Sequence, residues 1–373
     1  MKIVLDQGAL LSELTLLQGV IEKKSTVPIL SCVLLNATED GRLHVSGTDL
    51  DVGFRSSVAA TVEVPGTMVV HARRLYDVVR KLPPGNVGMR EKGSSLHLHC
   101  EKTKYRLAAN AMEEFPGLRN REGKPAFSIQ AAMLEDMIRR VLPAIAIDDP
   151  RYSLDGALWK VSDGMLTMVA TDGHRLTVSK RPLSGPVATD VRNMIVPRKA
   201  LVEIQRLASG HEGPVEVWSG DGHLFGSFGQ REVSTTLKER EFPDFERVVE
   251  AADGCEKTLE VDTKRLRQAI ERVAVLSQEH THLVKLEVEG EVLRLSATHS
   301  EFGEAEDEIS AEFDGETHSM GFNAQYLLDV LSTAGTEKVR VRFGDGRKQG
   351  LFSPLRPDDD DLLDVCIIAT LGN

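Results

Sequence analysis

Asp172-Gly173-His174 brings together the side chains of this chain best suited to chemistry: an acid and an imidazole one residue apart. In a hydrolase relay the acid would orient the ring, and the ring would take a proton from a nucleophile. No Gly-x-Ser-x-Gly elbow or other placed nucleophile accompanies the pair, so a hydrolase using His174 remains only as a rival reading. Gly117 to Gly123-Lys124-Pro125 has the outline of a phosphate loop. It carries five residues between its glycines, and Pro125 stands where Ser or Thr should hold magnesium. His97-x-His99-Cys100 and His280-x-His282 are alternating pairs without a carboxylate-rich partner, which reads as strand or loop rather than metal site. Asp358-Asp359-Asp360-Asp361 reads as a solvated loop. The expectation is therefore no catalytic residue, no metal and no cofactor.

Asp172-Gly173 is better read as a turn. It follows the strand-like run Met165-Leu166-Thr167-Met168-Val169, Asp can bond its own backbone, and Gly accepts positive φ. A second stretch, Glu241-Phe242-Pro243-Asp244-Phe245-Glu246-Arg247-Val248, sits at a matching place in an internal repeat. The chain has 373 residues, 41% of them hydrophobic and 27% charged, enough for two or three domains with their own cores. Cys32, Cys100, Cys255 and Cys366 are isolated, as expected of reduced, buried thiols in a cytoplasmic protein. An acid at Asp6 interrupts any apolar signal segment, and no apolar run reaches membrane-spanning length. A net charge of −12 argues against indiscriminate coating of nucleic acid but leaves room for a local basic surface.

The elements that must position these stretches come in three copies. Leu10, Leu14 and Leu17 follow Ile3-Val4-Leu5; Leu134, Ile138 and Val141 follow Phe127-Ser128-Ile129; Leu266, Ile270 and Val273 follow Leu259-Glu260-Val261. Spacings of i, i+4, i+7 put each trio on one helical face. Leu43, Leu166 and Leu293 then stand five residues before Thr48, Thr171 and Thr298, and a second helix follows Met68, Met194 and Met320. Each copy is itself doubled, since Leu75, Val79 and Leu82 repeat the first trio 65 residues on. Strand, helix, then several strands is thus the unit, used six times, and the fold class is α+β with antiparallel sheets. Polar linkers are expected at Arg119–Lys124 and at Ala251-Ala252-Asp253-Gly254, giving domains 1–120, 125–250 and 257–373.

Charge is segregated along this repeat. Segments 10–21, 73–82, 134–145, 198–208, 264–277 and 323–334, the six expected helices, sum to +6 and leave −18 to the remainder. Basic helices beside acidic strands suggest a surface facing phosphate, with Arg73, Arg74, Arg80, Lys81, Arg139, Arg140, Arg198, Lys199, Lys264 and Arg265 as candidates. Such contacts are blind to base sequence, and no base-reading motif is present.

Both stretches, with Ser25-Thr26-Val27-Pro28-Ile29-Leu30, Gly47-Thr48-Asp49-Leu50 and Arg151-Tyr152-Ser153-Leu154-Asp155-Gly156, resemble the bacterial β sliding clamp, the processivity subunit of DNA polymerase III. The resemblance runs through essentially the whole chain. It implies a ring formed by a head-to-tail homodimer, sheets outside and helices inside, encircling duplex DNA without sequence specificity. Polymerase and clamp-loader subunits would dock through short linear motifs in a groove between the second and third domains. Carried over, the groove comprises Leu154, Thr171, Gly173, His174, Arg175, Leu176, Pro243, Arg247 and Val248, with Ile367 and Ile368 from the tail; its Arg and His tips would address the peptide. DNA contacts would include Lys24 and Tyr152 beside Arg73, Arg80, Arg198 and Lys199. The dimer interface would pair the strand holding Lys104, Tyr105 and Leu107 with the one near Glu304 and Glu306. Tyr105 and Leu107 would meet Val275 and Leu276, while Arg74 and Lys104 face Glu301, Glu304 and Glu306. The tail departs from the family. Ile368-Ala369-Thr370-Leu371 stands where a Met-Pro-Met-Arg-like end is usual, which should reshape the groove floor. Two readings stay within the family, a housekeeping clamp with a divergent groove and a paralogue with altered partners.

Overall fold

The computed structural model describes residues 1–21, 26–147, 154–188, 191, 193–252, 254–313, 315–344, 349–356 and 363–371. They form two compact units. One comprises Met1–Glu135, Leu183–Val191 and Lys199–Leu237; the other comprises Asp136–Pro182, Arg192–Arg198 and Lys238–Asn373. The sequence repeat and the compact units do not coincide, because strand pairing carries each sheet across the repeat boundaries.

The first unit holds a 13-stranded sheet. Between its fourth and fifth strands lies a junction at which Arg231–Thr236 pairs antiparallel with Val52–Ala59, Val233 opposite Phe54. In the second unit a nine-stranded and a four-stranded sheet are present. There the corresponding junction pairs Arg175–Pro182 with Leu363–Ala369, Leu176 opposite Ile367. Alternation sends every second side chain of these strands to one face.

All six expected helices form: α1 (Gln7–Val20), α2 (Ala72–Lys81), α3 (Ala131–Val141), α4 (Arg198–Ala208), then, with α5 (Glu246–Ala252) between them and α6, α6 (Thr263–Val273) and α7 (Ala324–Ala334). The i, i+4, i+7 trios are all buried, each Leu or Ile contributing on the order of 2 kcal/mol by leaving water. Caps set the ends. Asp6 accepts from the Ala9 amide at 2.8 Å and starts α1 three residues before the expected segment. Asp262 does the same for α6, and α7 stops at Gly335 with φ +69°.

Helix α5 corrects the expected linker at 251–254. Ala251 and Ala252 finish the helix, and Ala252 and Cys255 are buried in an apolar cluster with Leu158, Leu176 and Ile367 of the sheet. A polar, turn-prone reading of two alanines failed because the apolar side of a short helix can be satisfied by the sheet beneath it.

The basic helices need a second correction. Arg139 and Arg140 do not stand free for phosphate. In the second unit Arg139 donates to the Thr333 carbonyl at 2.8 Å and Arg140 to the Ala334 carbonyl at 3.1 Å. Arg140 also meets Asp136 (2.9 Å) and Asp364 (3.2 Å). Arg181, only 2% exposed, bridges the same two acids at 2.6 and 2.7 Å. Burial alone would raise the Asp136 carboxyl, but bonds from Arg140, Arg181 and Arg139 bring it down to about 2. These arginines fasten the Arg175–Pro182 and Leu363–Ala369 strands to α3.

Candidate functional site

Thr171 through Arg175 form a turn whose polar groups are spent on the backbone. The Thr171 hydroxyl donates to the Arg175 carbonyl (2.6 Å) and accepts from the Gly173 amide (3.1 Å). One Asp172 oxygen accepts from the amides of His174 and Arg175, both at 3.0 Å, and the other from Arg175 Nε at 3.0 Å. Gly173 sits at φ +88°, which only glycine adopts without strain. Asp172 therefore orients main chain and guanidinium rather than the His174 imidazole, and the relay imagined for a hydrolase is not formed. His174 is exposed, and its carbonyl accepts from the Ala369 amide at 2.9 Å, tying the turn to the last strand.

Opposite the turn, Asp244 accepts from the Arg247 amide at 3.4 Å at the start of α5. Phe242, Phe245 and Val249 pack on an apolar cluster that includes Leu158, Leu176, Ile195, Leu351 and Ile367. Between turn and helix lies a cavity of about 560 Å³, lined by Leu154, Thr171, Asp172, Gly173, His174, Arg175, Leu176, Pro243, Asp244, Phe245, Val248, Gln349, Ile367 and Ala369. Its size and largely apolar walls suit a few bulky side chains of a peptide.

Nine of the expected groove residues meet here: Leu154, Thr171, Gly173, His174, Arg175, Leu176, Pro243, Val248 and Ile367. Two do not. Arg247 is exposed on α5 and not part of the lining. Ile368 is fully buried in the other core, among Phe322 and Phe352. Neighbours on a strand point to opposite faces, so Ile367 and Ala369 can form a floor only if Ile368 turns away. The divergent tail thus supplies an isoleucine and an alanine.

Arg175 is a further correction. Its side chain is 9% exposed, and its guanidinium is engaged by Asp172, by Asp329 at 2.6 Å and by the Pro143 carbonyl, while it lies 4.3 Å from the centroid of the Tyr326 ring. Burial would disfavour its charge, but Asp329 and Asp172 more than restore it. It is no free tip for a ligand. Asp172, Asp244 and Phe245, named in the two stretches but not in the expected groove, also line the cavity, as do Gln349 and Ala369; alternation from Ile367 would have found Ala369, and an Asp three residues before Arg247 signals a cap. Nothing local points to Asp329 or Tyr326, which arrive through space.

The residues expected at DNA are dispersed. Lys24 and Tyr152 lie outside the described residues. Arg73 and Arg80 are exposed on α2, flanking the Tyr76 ring at 5.4 and 5.2 Å, each 3.5 Å from Asp77. Arg198 donates to the Leu142 carbonyl, and Lys199 pairs with buried Asp49. Those two are held by protein partners.

Among the described residues, each expected dimer strand presents an edge that is unpaired along most of its length. Thr103–Asn110 pairs along its length with Ser95–Cys100 but on its other side only through Ala109 and Asn110. Gly303–Ser310 ends the four-stranded sheet. Lys104 and Tyr105 are exposed on the first edge, with Leu107 half-buried; Glu301, Glu304 and Glu306 are exposed along the second. Arg74 is exposed on α2. Val275 is 78% exposed and Leu276 half-buried. Phe302, at 69% exposure beside this edge, was not foreseen. Among the described residues no cluster of three or more His, Cys, Asp or Glu is placed to hold a metal, His97, His99, Cys100, His280 and His282 included. The Asp358–Asp361 run lies outside the described residues.

Three family models match in order: DNA polymerase III beta subunit N-terminal domain at 1–119, central domain at 128–244 and C-terminal domain at 253–367. The chain is 35% identical over 361 residues to the beta sliding clamp of Pseudomonas aeruginosa, covering 96% of this chain and 97% of that protein. Against the beta sliding clamp of Escherichia coli it is 31% identical over 347 residues, covering 92% and 93%. The P. aeruginosa sliding clamp bound to griselimycin superimposes with a TM-score of 0.92 at 33% identity, each chain fully covered. The Caulobacter crescentus beta sliding clamp, with PEG in its beta-motif tethering region, gives 0.90 at 31%, again over both full lengths.

Proposed function

Because the chain belongs to the DNA polymerase III beta-subunit family, the sliding clamps, we propose that it is a DNA sliding clamp that encircles duplex DNA and tethers the replicative polymerase and its loader. The match of all three domain models in sequence over nearly the whole chain carries this reading. The domains are 1–120, 125–250 and 257–373, the last beginning after α5. Two copies close head to tail, the free edge at Thr103–Ala108 meeting the free edge at Gly303–Ser310, with Tyr105 and Leu107 against Val275 and Leu276. Arg74 and Lys104 on one side oppose Glu301, Glu304 and Glu306 on the other, and joining two free edges removes a site of aggregation.

Polymerase and loader subunits bind as extended segments whose apolar side chains enter the cavity between the Thr171–Leu176 turn and α5. The exposed guanidinium groups of Arg73 and Arg80 supply phosphate contacts, screened by Asp77, and Lys24 and Tyr152 add theirs. The protein acts without catalysis in the cytoplasm, holding enzymes rather than being one. Among the described residues no helix is long and apolar enough to cross a membrane.

Loading onto nicked circular DNA by a clamp loader with ATP, followed by linearisation, tests the reading. Retention on the circle and rapid loss from the linear form is the expected outcome. Equal loss from both would refute topological linkage.

A further inference from the structure

Arg175 lines the cavity, and all three nitrogens of its guanidinium are engaged by protein groups. Asp172 holds Nε, the Pro143 carbonyl takes one terminal nitrogen, Asp329 of α7 takes the other at 2.6 Å, and the Tyr326 ring lies 4.3 Å away. Asp329 and Tyr326 are absent from the cavity lining. Asp329 is itself steadied by Gln325, whose amide donates to its second oxygen at 2.8 Å. A separate void of about 30 Å³, room for one water, adjoins Arg175 and Asp329 and is also bounded by Arg140, Pro143 and Cys366. Truncating Asp329 would enlarge that void, free one terminal nitrogen of the guanidinium and loosen the turn it supports.

We infer that Asp329 and Tyr326 are positioning residues for the cavity: through Arg175 they hold the Thr171–Leu176 wall at the spacing from α5 that an apolar ligand requires. The inference rests on the cavity being the docking site. A planar fork bound on three sides transmits position in a way that a single ammonium cannot, so charge alone does not replace it. The ligand would pay for ordering the wall whenever the strut is missing, and affinity would fall without any lost contact to the ligand.

Two readouts on the full-length protein separate the strut from the docking site. In the first, fluorescently labelled griselimycin is titrated against wild type, Asp329→Ala, Arg175→Ala and the double variant, with thermal midpoint and solution mass as controls for folding and assembly. Asp329→Ala is expected to weaken binding about tenfold, corresponding to the loss of one charge-assisted bond. The double variant should bind no worse than Arg175→Ala, Arg175→Lys should fail to rescue, and Tyr326→Ala, which removes the ring, should weaken binding while Tyr326→Phe, which keeps it, restores it. Normal binding by Asp329→Ala, or additive losses in the double variant, would overturn the inference. The second readout needs no ligand. Amide exchange at residues 172–176 should accelerate in Asp329→Ala, and unchanged exchange would overturn the strut even if wild type failed to bind griselimycin. That failure would instead count against the cavity as docking site.

Discussion

The turns at Thr48–Val52 and Thr171–Arg175 are the same structure with different surroundings. In the first, the Thr48 hydroxyl donates to the Val52 carbonyl at 2.9 Å and accepts from the Leu50 amide at 2.9 Å. Asp49 accepts from the amides of Asp51 and Val52, and the Thr236 amide donates to the Asp51 carbonyl at 3.0 Å, as Ala369 does to His174. Even the backbone agrees, Leu50 at φ +85° matching Gly173 at +88°. What differs is what lies above. Gly53 stands where the second turn has Leu176, and the Leu118 side chain rests over it, with Arg55 donating to the Leu118 carbonyl at 2.6 Å. Leu118 follows Glu114-Phe115-Pro116-Gly117, the counterpart of Glu241-Phe242-Pro243-Asp244. Asp244 can accept at a helix start and Gly117 cannot. In one repeat the chain after Phe-Pro winds into α5 beside a cavity; in the other it forms no regular element and lays a leucine over Gly53. A single capping side chain thus helps decide which junction opens a cavity.

The strongest contrast is in the fastening of the two junctions. Arg181→Met would take the most buried cation from Asp364 and Asp136 and leave Arg140 as their shared partner, a loss of about 3 kcal/mol in urea denaturation. Arg55→Met in the first unit removes a longer, 3.6 Å pair with Glu232, made by an arginine that is itself part-exposed, and two bonds to the 118–120 segment, and should cost about 1 kcal/mol. Equal losses would show that the buried cluster is no special joint. Next, Gly53→Leu would drive its Cβ to 2.5 Å from Ser234 Oγ and 3.0 Å from Leu118. About 2 kcal/mol of destabilisation is expected, relieved when combined with Leu118→Ala. If Leu118 does not cover Gly53, the pair will be additive.

Converting one linker into the other gives a smaller effect. Asp244→Gly removes the α5 cap and should lower stability by only about a few tenths of a kcal/mol, since glycine is itself tolerated at a cap, with several-fold weaker griselimycin binding by fluorescence titration. Unchanged affinity would separate helix from cavity. Acid acts on the second junction through Asp136. The Asp136 carboxyl is lowered from 3.8 to about 2, so the stability it gives is fully present above its unfolded value and is lost as pH falls from about 4 towards 2. Thermal midpoints of Asp136→Asn should lack that part of the acid dependence. Smallest of all is Leu50→Gly. Relief of a positive φ is opposed by the entropy of glycine, leaving stabilisation of under about 1 kcal/mol, readable as a shift in urea midpoint.

Much of this was legible in the chain because periodicity reports faces. The trios Leu10/Leu14/Leu17 and Leu266/Ile270/Val273 announced buried helix sides, and Thr171-Asp172-Gly173 announced a turn. Resemblance supplied the groove, and alternation would have corrected its one internal inconsistency, adjacent Ile367 and Ile368 on the same wall. Charge counting failed at α3, since Arg139 and Arg140 look identical in sequence to solvated arginines until Asp364, more than 200 residues away, is placed beside Arg140. Arg175 misled for the same reason. Composition gives the sign of a charge but not its partner.

The claim that the cavity beside α5, and not its closed counterpart, receives the ligand is tested most directly by a crystal structure of this chain with griselimycin. Ligand density between the Thr171–Leu176 turn and α5, over Ile367 and Ala369, is the predicted result. Density over Gly53 and Leu118, or none at saturating ligand, would contradict it.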